Sequence, residues 1–184
     1  MARWSANKAA AGLRLLLAAG AVGWPSQSLA KVEMGFYARD GDGRGFPHAF
    51  VTLKGTVDST GERVDSALGF TSVRVSPAML AGSVPGRLLP EPPRLVARSN
   101  RLFAVTLSDR RYRAVQDVVR RWREARQPSY NLHRRNCVHF VGELARASGL
   151  RVPRANHLMK EPRKFLLSVK AANPLLGSAP PGLR

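Results

Sequence analysis

The stretch YNLHRRNCVHFVGELARASGL (residues 130–150) holds the only cysteine of the 184-residue chain. Asn136 directly precedes Cys137, with His133 before the pair and His139 after it. Asn136 is a favoured N-cap residue and Gly149 a favoured stop, so a helix is expected from Cys137 to about Ser148. Cys137, Phe140, Val141 and Leu144 then share one face, which must pack inward. A cysteine at the first helical position sits among unpaired backbone N–H groups at the positive end of the helix dipole. Both favour thiolate over thiol. His139 falls about 200° around the wheel from Cys137, beside Glu143 and Arg146 on the outer face, so the two cannot share a metal. One cysteine plus His133 from the preceding loop is half a zinc site. No metal and no cofactor are expected, and a buried thiol or a nucleophile remain.

Upstream, FPHAFVTLKGTVD (46–58) puts Phe46 and Phe50 on one alternating face and Ala49, Val51 and Leu53 on the other, as in a strand covered on both sides. DSTG (58–61) supplies a turn and ERVDSALGFTSV (62–73) a return strand, which makes a hairpin. Pro77, Pro85, Pro90, Pro92 and Pro93 break up a long irregular connection, and RLFAVTL (101–107) reads as a third strand. Ser108 can cap the next helix, whose apolar stripe is Tyr112, Val115, Val118, Val119 and Trp122. The arginines on its other side read as a solvent face. A short last helix is expected from Pro162 with Phe165 and Leu166. This order argues α+β, a small antiparallel sheet packed against two or three helices.

The first thirty residues read as a secretory leader. Arg3, Lys8 and Arg14 form a basic start, and LLLAAGAVGW (15–24) is an apolar run too short to span a bilayer. Pro25 breaks that run, and SLA (28–30) places small residues for cleavage after Ala30; an uncleaved anchor is the alternative. The expected organisation is a leader over 1–30, one domain over 31–171 and an unstructured tail over 172–184. The mature chain is expected outside the cytoplasm, periplasmic or extracellular, as a monomer. An exported domain of this size with one cysteine cannot make an internal disulfide, which raises the interest of that thiol.

The net charge is +18, and +15 once the three basic residues of the leader are removed. This points to an anionic partner such as a cell-envelope component, peptidoglycan or lipid, with peripheral membrane contact as a variant. The aromatic residues are few and not interleaved with the arginines, so no nucleic-acid partner is expected. DGDGRG (40–45) begins like a calcium loop but fails, since Arg44 and Val51 stand where oxygen ligands are needed.

A nucleophilic cysteine needs a base on a rigid element facing the helix start. His48 is the candidate, inside the most apolar strand and flanked on its own face by Phe46 and Phe50. With GFPHAFVTL ahead of it, the 130–150 block resembles the Y-N-L-x-x-x-N-C-x-x-F segment of permuted papain-like enzymes. These include the PPPDE peptidases and the lecithin:retinol acyltransferase-like proteins. The resemblance covers roughly 46–71 and 130–150. It implies a circularly permuted papain-like fold, Cys137 as nucleophile and His48 as general base and acid. It also implies a polar residue that orients the imidazole, often on the strand after the histidine. A four-residue turn at 58–61 sets His48 opposite Thr71, the geometric choice. Asp65, the chemical choice, lies about six residues along, roughly 20 Å away at 3.3 Å per residue.

The expected activity is that of a thiol hydrolase or acyltransferase acting on an amide or ester through a thioacyl enzyme. Backbone N–H groups at the helix start, with the Asn131 side chain, are the expected oxyanion donors. Tyr130 and Asn136 are expected to brace the loop and cap the helix. The alternatives are a lipid acyl hydrolase and a non-catalytic envelope-binding protein that keeps the fold.

Overall fold

The computed structural model describes residues 31–41 and 46–176. The leader expected over 1–30, most of the glycine-rich loop and the tail beyond Leu176 lie outside those residues. The described chain is α+β. Its strands are β1 (Val32–Arg39), β2 (His48–Thr56), β3 (Arg63–Ser72), β4 (Gly86–Pro90) and β5 (Asn100–Leu107). They form one antiparallel sheet in the order β4-β3-β2-β1-β5. The helices are α1 (Ala78–Ala81), α2 (Pro93–Ala97), α3 (Asp109–Arg123), α4 (Cys137–Ala147) and α5 (Pro162–Ala171), with a 3-10 turn at Asn156–Leu158.

The β2–β3 hairpin has the register that its turn predicts. Val57 N–H donates to Glu62 O at 2.9 Å, and Thr56 pairs with Arg63. Gly61 takes φ +70°, a conformation that favours glycine, in closing the turn. Asp109 at the start of α3 fastens the hairpin tip by accepting from Asp58 N–H at 3.1 Å and Ser59 N–H at 2.7 Å. The Ser59 side chain and these N–H groups hold the Asp109 carboxyl below the usual carboxylate range. The ladder then stops at Val51↔Leu68, three residues short of His48. Phe46, expected to flank His48 within the strand, lies outside it and is 64% exposed. His48 is the first residue of β2 and not an interior one. Phe50 is fully buried and stacks on Tyr37 at 5.2 Å.

Two strands go beyond the sequence reading. β1 is an interior strand, between β2 and the edge strand β5, and its Phe36 stacks on Phe103 of β5 at 4.6 Å. β4 forms within the proline-rich connection because its prolines stand where the ladder tolerates them: Pro85 just before the strand and Pro90 at its end. Its outer edge is covered in part by Gln127, whose amide accepts from Gly86 N–H at 2.9 Å and donates to Gly86 O at 2.8 Å.

The helices close the core much as their stripes require. Val115, Val118, Val119 and Trp122 of α3 are buried, and Ser108 accepts from Arg111 N–H as its cap. α4 packs against β2 and β3, and α5 against β1, β2 and β5. Trp122 meets Phe70 edge-on at 4.7 Å and Phe140 at 5.3 Å, joining α3, β3 and α4. The ordered chain runs past the expected domain end at 171. Asn173 donates to Arg151 O at 2.8 Å and accepts from Arg151 N–H at 2.9 Å, and Leu176 packs on the core. Among the described residues no helix is long and apolar enough to cross a membrane.

Candidate functional site

The site is built where α4 begins. Asn136 is the N-cap, and its Oδ1 accepts from Val138 N–H at 2.9 Å and His139 N–H at 3.2 Å. Its Nδ2 donates to Leu132 O at 2.8 Å and Met159 O at 2.7 Å. One buried amide therefore joins the preceding loop, the helix start and the 3-10 segment, and fixes where Cys137 stands. Phe140, Val141 and Leu144 are fully buried on the inward face, and Cys137 is 6% exposed. Val138 and His139 N–H are taken by the cap and Phe140 N–H by Asn136 O. The Cys137 N–H has no partner among the described residues.

His48 and Cys137 meet. The His48 pKa is pushed up to about 9: burial alone would lower it, but hydrogen bonding to Cys137 and Glu91, with the charge on each, more than reverses that. The ring donor at Nε2 lies 2.8 Å from Glu91 Oε1, with the two side chains 14% and 8% exposed. A carboxylate so poorly solvated is held by its ion pair with the imidazolium. Since Nε2 is engaged with Glu91, Nδ1 is the ring nitrogen left for the sulfur. The order is Glu91–His48–Cys137.

The group that orients His48 is therefore Glu91 and neither of the expected residues. Thr71 pairs with Arg87 of β4, since the β2–β3 ladder ends before it could face His48. Asp65 pairs with Lys54, 80% exposed and 3.8 Å from its ammonium, at the far end of the hairpin. Glu91 follows β4 directly and is tied to β3 through its N–H to Ala67 O at 2.9 Å. Its side chain reaches His48 across Gly69. A Cβ at Gly69 would stand 1.8 Å from Glu91 Oε1 and 2.6 Å from His48 Nε2. The sequence carries a signal for this residue: Glu91 is the only acidic residue between Asp65 and Asp109.

The remaining expected residues have these places. Tyr130 is buried, pairs through its backbone with Val84, and stacks on Phe70 at 5.8 Å. Burial and the negative charge of Cys137 push its pKa up, so it stays a neutral phenol beside the thiol. Asn131 is tied into its own loop, with one of its two Nδ2 hydrogens engaged. Its Oδ1 accepts from His133 and Arg134 N–H at 2.9 and 3.1 Å, and its Nδ2 donates to Ser83 at 3.2 Å. His139, expected on the outer face, is half-buried and completes a capping box with Asn136, whose N–H approaches its Nδ1 at 3.3 Å. Arg135 lies 3.9 Å over the Trp122 ring, with its Nε buried and unpartnered among the described residues. No three His, Cys, Asp or Glu side chains among the described residues gather as a metal site.

No family model, curated protein or solved structure matches the chain.

Proposed function

We propose that the chain is a cysteine-dependent hydrolase or acyltransferase of circularly permuted papain-like design, acting on an amide or ester. The observation that carries this reading is the Glu91–His48–Cys137 series at a capped helix start. His48 takes the Cys137 proton and the two form an ion pair. The thiolate attacks the carbonyl carbon, and the carbonyl oxygen takes up the electron pair. The Cys137 N–H and the neutral Tyr130 hydroxyl are the donors suited to that oxyanion. As the tetrahedral adduct collapses, His48 protonates the leaving amine or alcohol and a thioester remains. His48 then removes a proton from water, or from an acceptor alcohol or amine, which attacks and frees the thiol. Glu91 holds the imidazole in the required tautomer.

The expected leader and the charge of +18 support an exported enzyme and an anionic envelope substrate, peptidoglycan peptide or lipid. Envelope fractionation that recovers a chain beginning at Lys31 supports that location, and recovery of residues 1–30 on a cytoplasmic chain removes it. A non-catalytic binder is the second reading, favoured by the low exposure of Cys137.

The test is a chromogenic acetate ester with intact-mass detection. A hydroxylamine-sensitive acetyl adduct on Cys137 is expected, absent in Cys137→Ser and formed far more slowly in His48→Ala. An adduct formed equally fast without His48 would overturn the mechanism.

A further inference from the structure

We propose that a cavity on the outer side of α4 binds a small amphiphilic anion, a carboxylate or phosphate monoester carried on an apolar body. This site is separate from the Glu91–His48–Cys137 series and does not rest on its chemistry. The cavity measures about 470 Å³, a size that suits a small ligand. Its floor is apolar, made by Val138, Ala155, Met159 and Phe165 around Gly142. Gly142 keeps that floor low, since a Cβ there would stand 3.1 Å from the Phe165 ring.

The rim is cationic. Arg146 and Arg154 both line the cavity, and neither pairs with an acid among the described residues. The one acid in the lining, Glu143, is committed elsewhere: it accepts from Trp122 Nε1 at 3.0 Å and stands 3.7 Å from Arg121. His139 also lines the cavity, with Nδ1 engaged at Asn136, which leaves Nε2 to face the space. Burial lowers its pKa, Glu143 opposes this, and Arg135 and Arg146 reinforce it. Nδ1 stands 2.9 Å from Asn136 Oδ1 and 3.3 Å from Asn136 N, so the ring is held by the helix cap. Two guanidinium groups thus border the apolar lining, unpaired among the described residues, and Glu143 is the one acid beside them. Guanidinium groups match carboxylate and phosphate oxygens in pairs, and the apolar side chains offer contact to a hydrocarbon body.

The experiment titrates the full-length protein with octanoate, octyl phosphate and neutral octanamide at low salt, following the Gly142 amide and the His139 ring by NMR. Saturable shifts with octanoate or octyl phosphate are expected, with octanamide at least tenfold weaker. The tighter of the two anions identifies the head group. Arg146→Ala and Arg154→Ala should each weaken anion binding at least tenfold, while Cys137→Ala leaves it unchanged. Equal binding of octanamide, or undiminished anion binding by both arginine variants, would overturn the assignment. Loss of esterase activity in Cys137→Ala with anion binding retained separates this site from the proposed reaction.

Discussion

Glu91 reaches His48 across a strand that offers no side chain in between: its Oε1 stands 2.8 Å from Nε2, over Gly69. The contact depends on a missing methyl group as much as on the two partners. Gly69→Ala is therefore expected to drive Glu91 away from the ring. The His48 pKa, read by NMR, should fall from about 9 toward its ordinary value, and ester turnover should drop about tenfold or more. A His48 titration identical to that of the parent protein would remove Glu91 from its orienting role.

Thiol reactivity tests the other half of the series. If His48 takes the proton from Cys137, iodoacetamide should label Cys137 in the folded parent protein at neutral pH. His48→Ala should lower that rate about a hundredfold or more. Equal labelling rates in the two proteins would favour the binding-protein reading.

Stability should depend on pH in a direction set by the same ring. His48 rises from 6.5 to about 9 on folding, so the folded chain keeps a proton that the unfolded chain releases. This contribution is complete below pH 6.5 and disappears as the pH climbs through 9. The urea midpoint of the parent protein should thus decline from pH 6 to pH 9.5 more steeply than that of His48→Gln. Parallel slopes for the two proteins would contradict the shift.

Asn136 allows its two roles to be separated. Asn136→Ala loses the cap, worth about 1 kcal/mol, and leaves buried partners unsatisfied at about 1–3 kcal/mol. A loss of roughly 2–4 kcal/mol in urea denaturation is expected. Asn136→Asp keeps an acceptor for Val138 and His139 but has no donor for Leu132 O and Met159 O. If it proves as stable as the parent, the bridging half of the role is absent.

Local signals were enough for the elements around the site. Ser108 and Asn136 announced two caps, Gly149 a stop, and the 58–61 turn a register that holds from Thr56 to Val51. β1 is not legible in the sequence because Gly35 and the charged Glu33 and Arg39 blur the alternation of a strand paired on both sides. β4 was hidden by prolines that a short edge strand accepts at its limits. Glu91 was out of reach for a different reason. Its meeting with His48 spans 43 residues and passes over a third strand, so extending one hairpin's register points to Thr71. Only its isolation as a carboxylate among arginines marked it in the sequence.

The lone thiol also has a consequence for how such a chain ages. With no second cysteine, a disulfide can form only with another molecule, and at 6% exposure Cys137 leaves room for a small substrate but not for the bulk of a second protein chain. Resistance to crosslinking with another protein is then a property of the fold and not of the residue. Every transient opening that bares Cys137 is an opportunity for crosslinking, so shelf life in an oxidising medium should track unfolding rate.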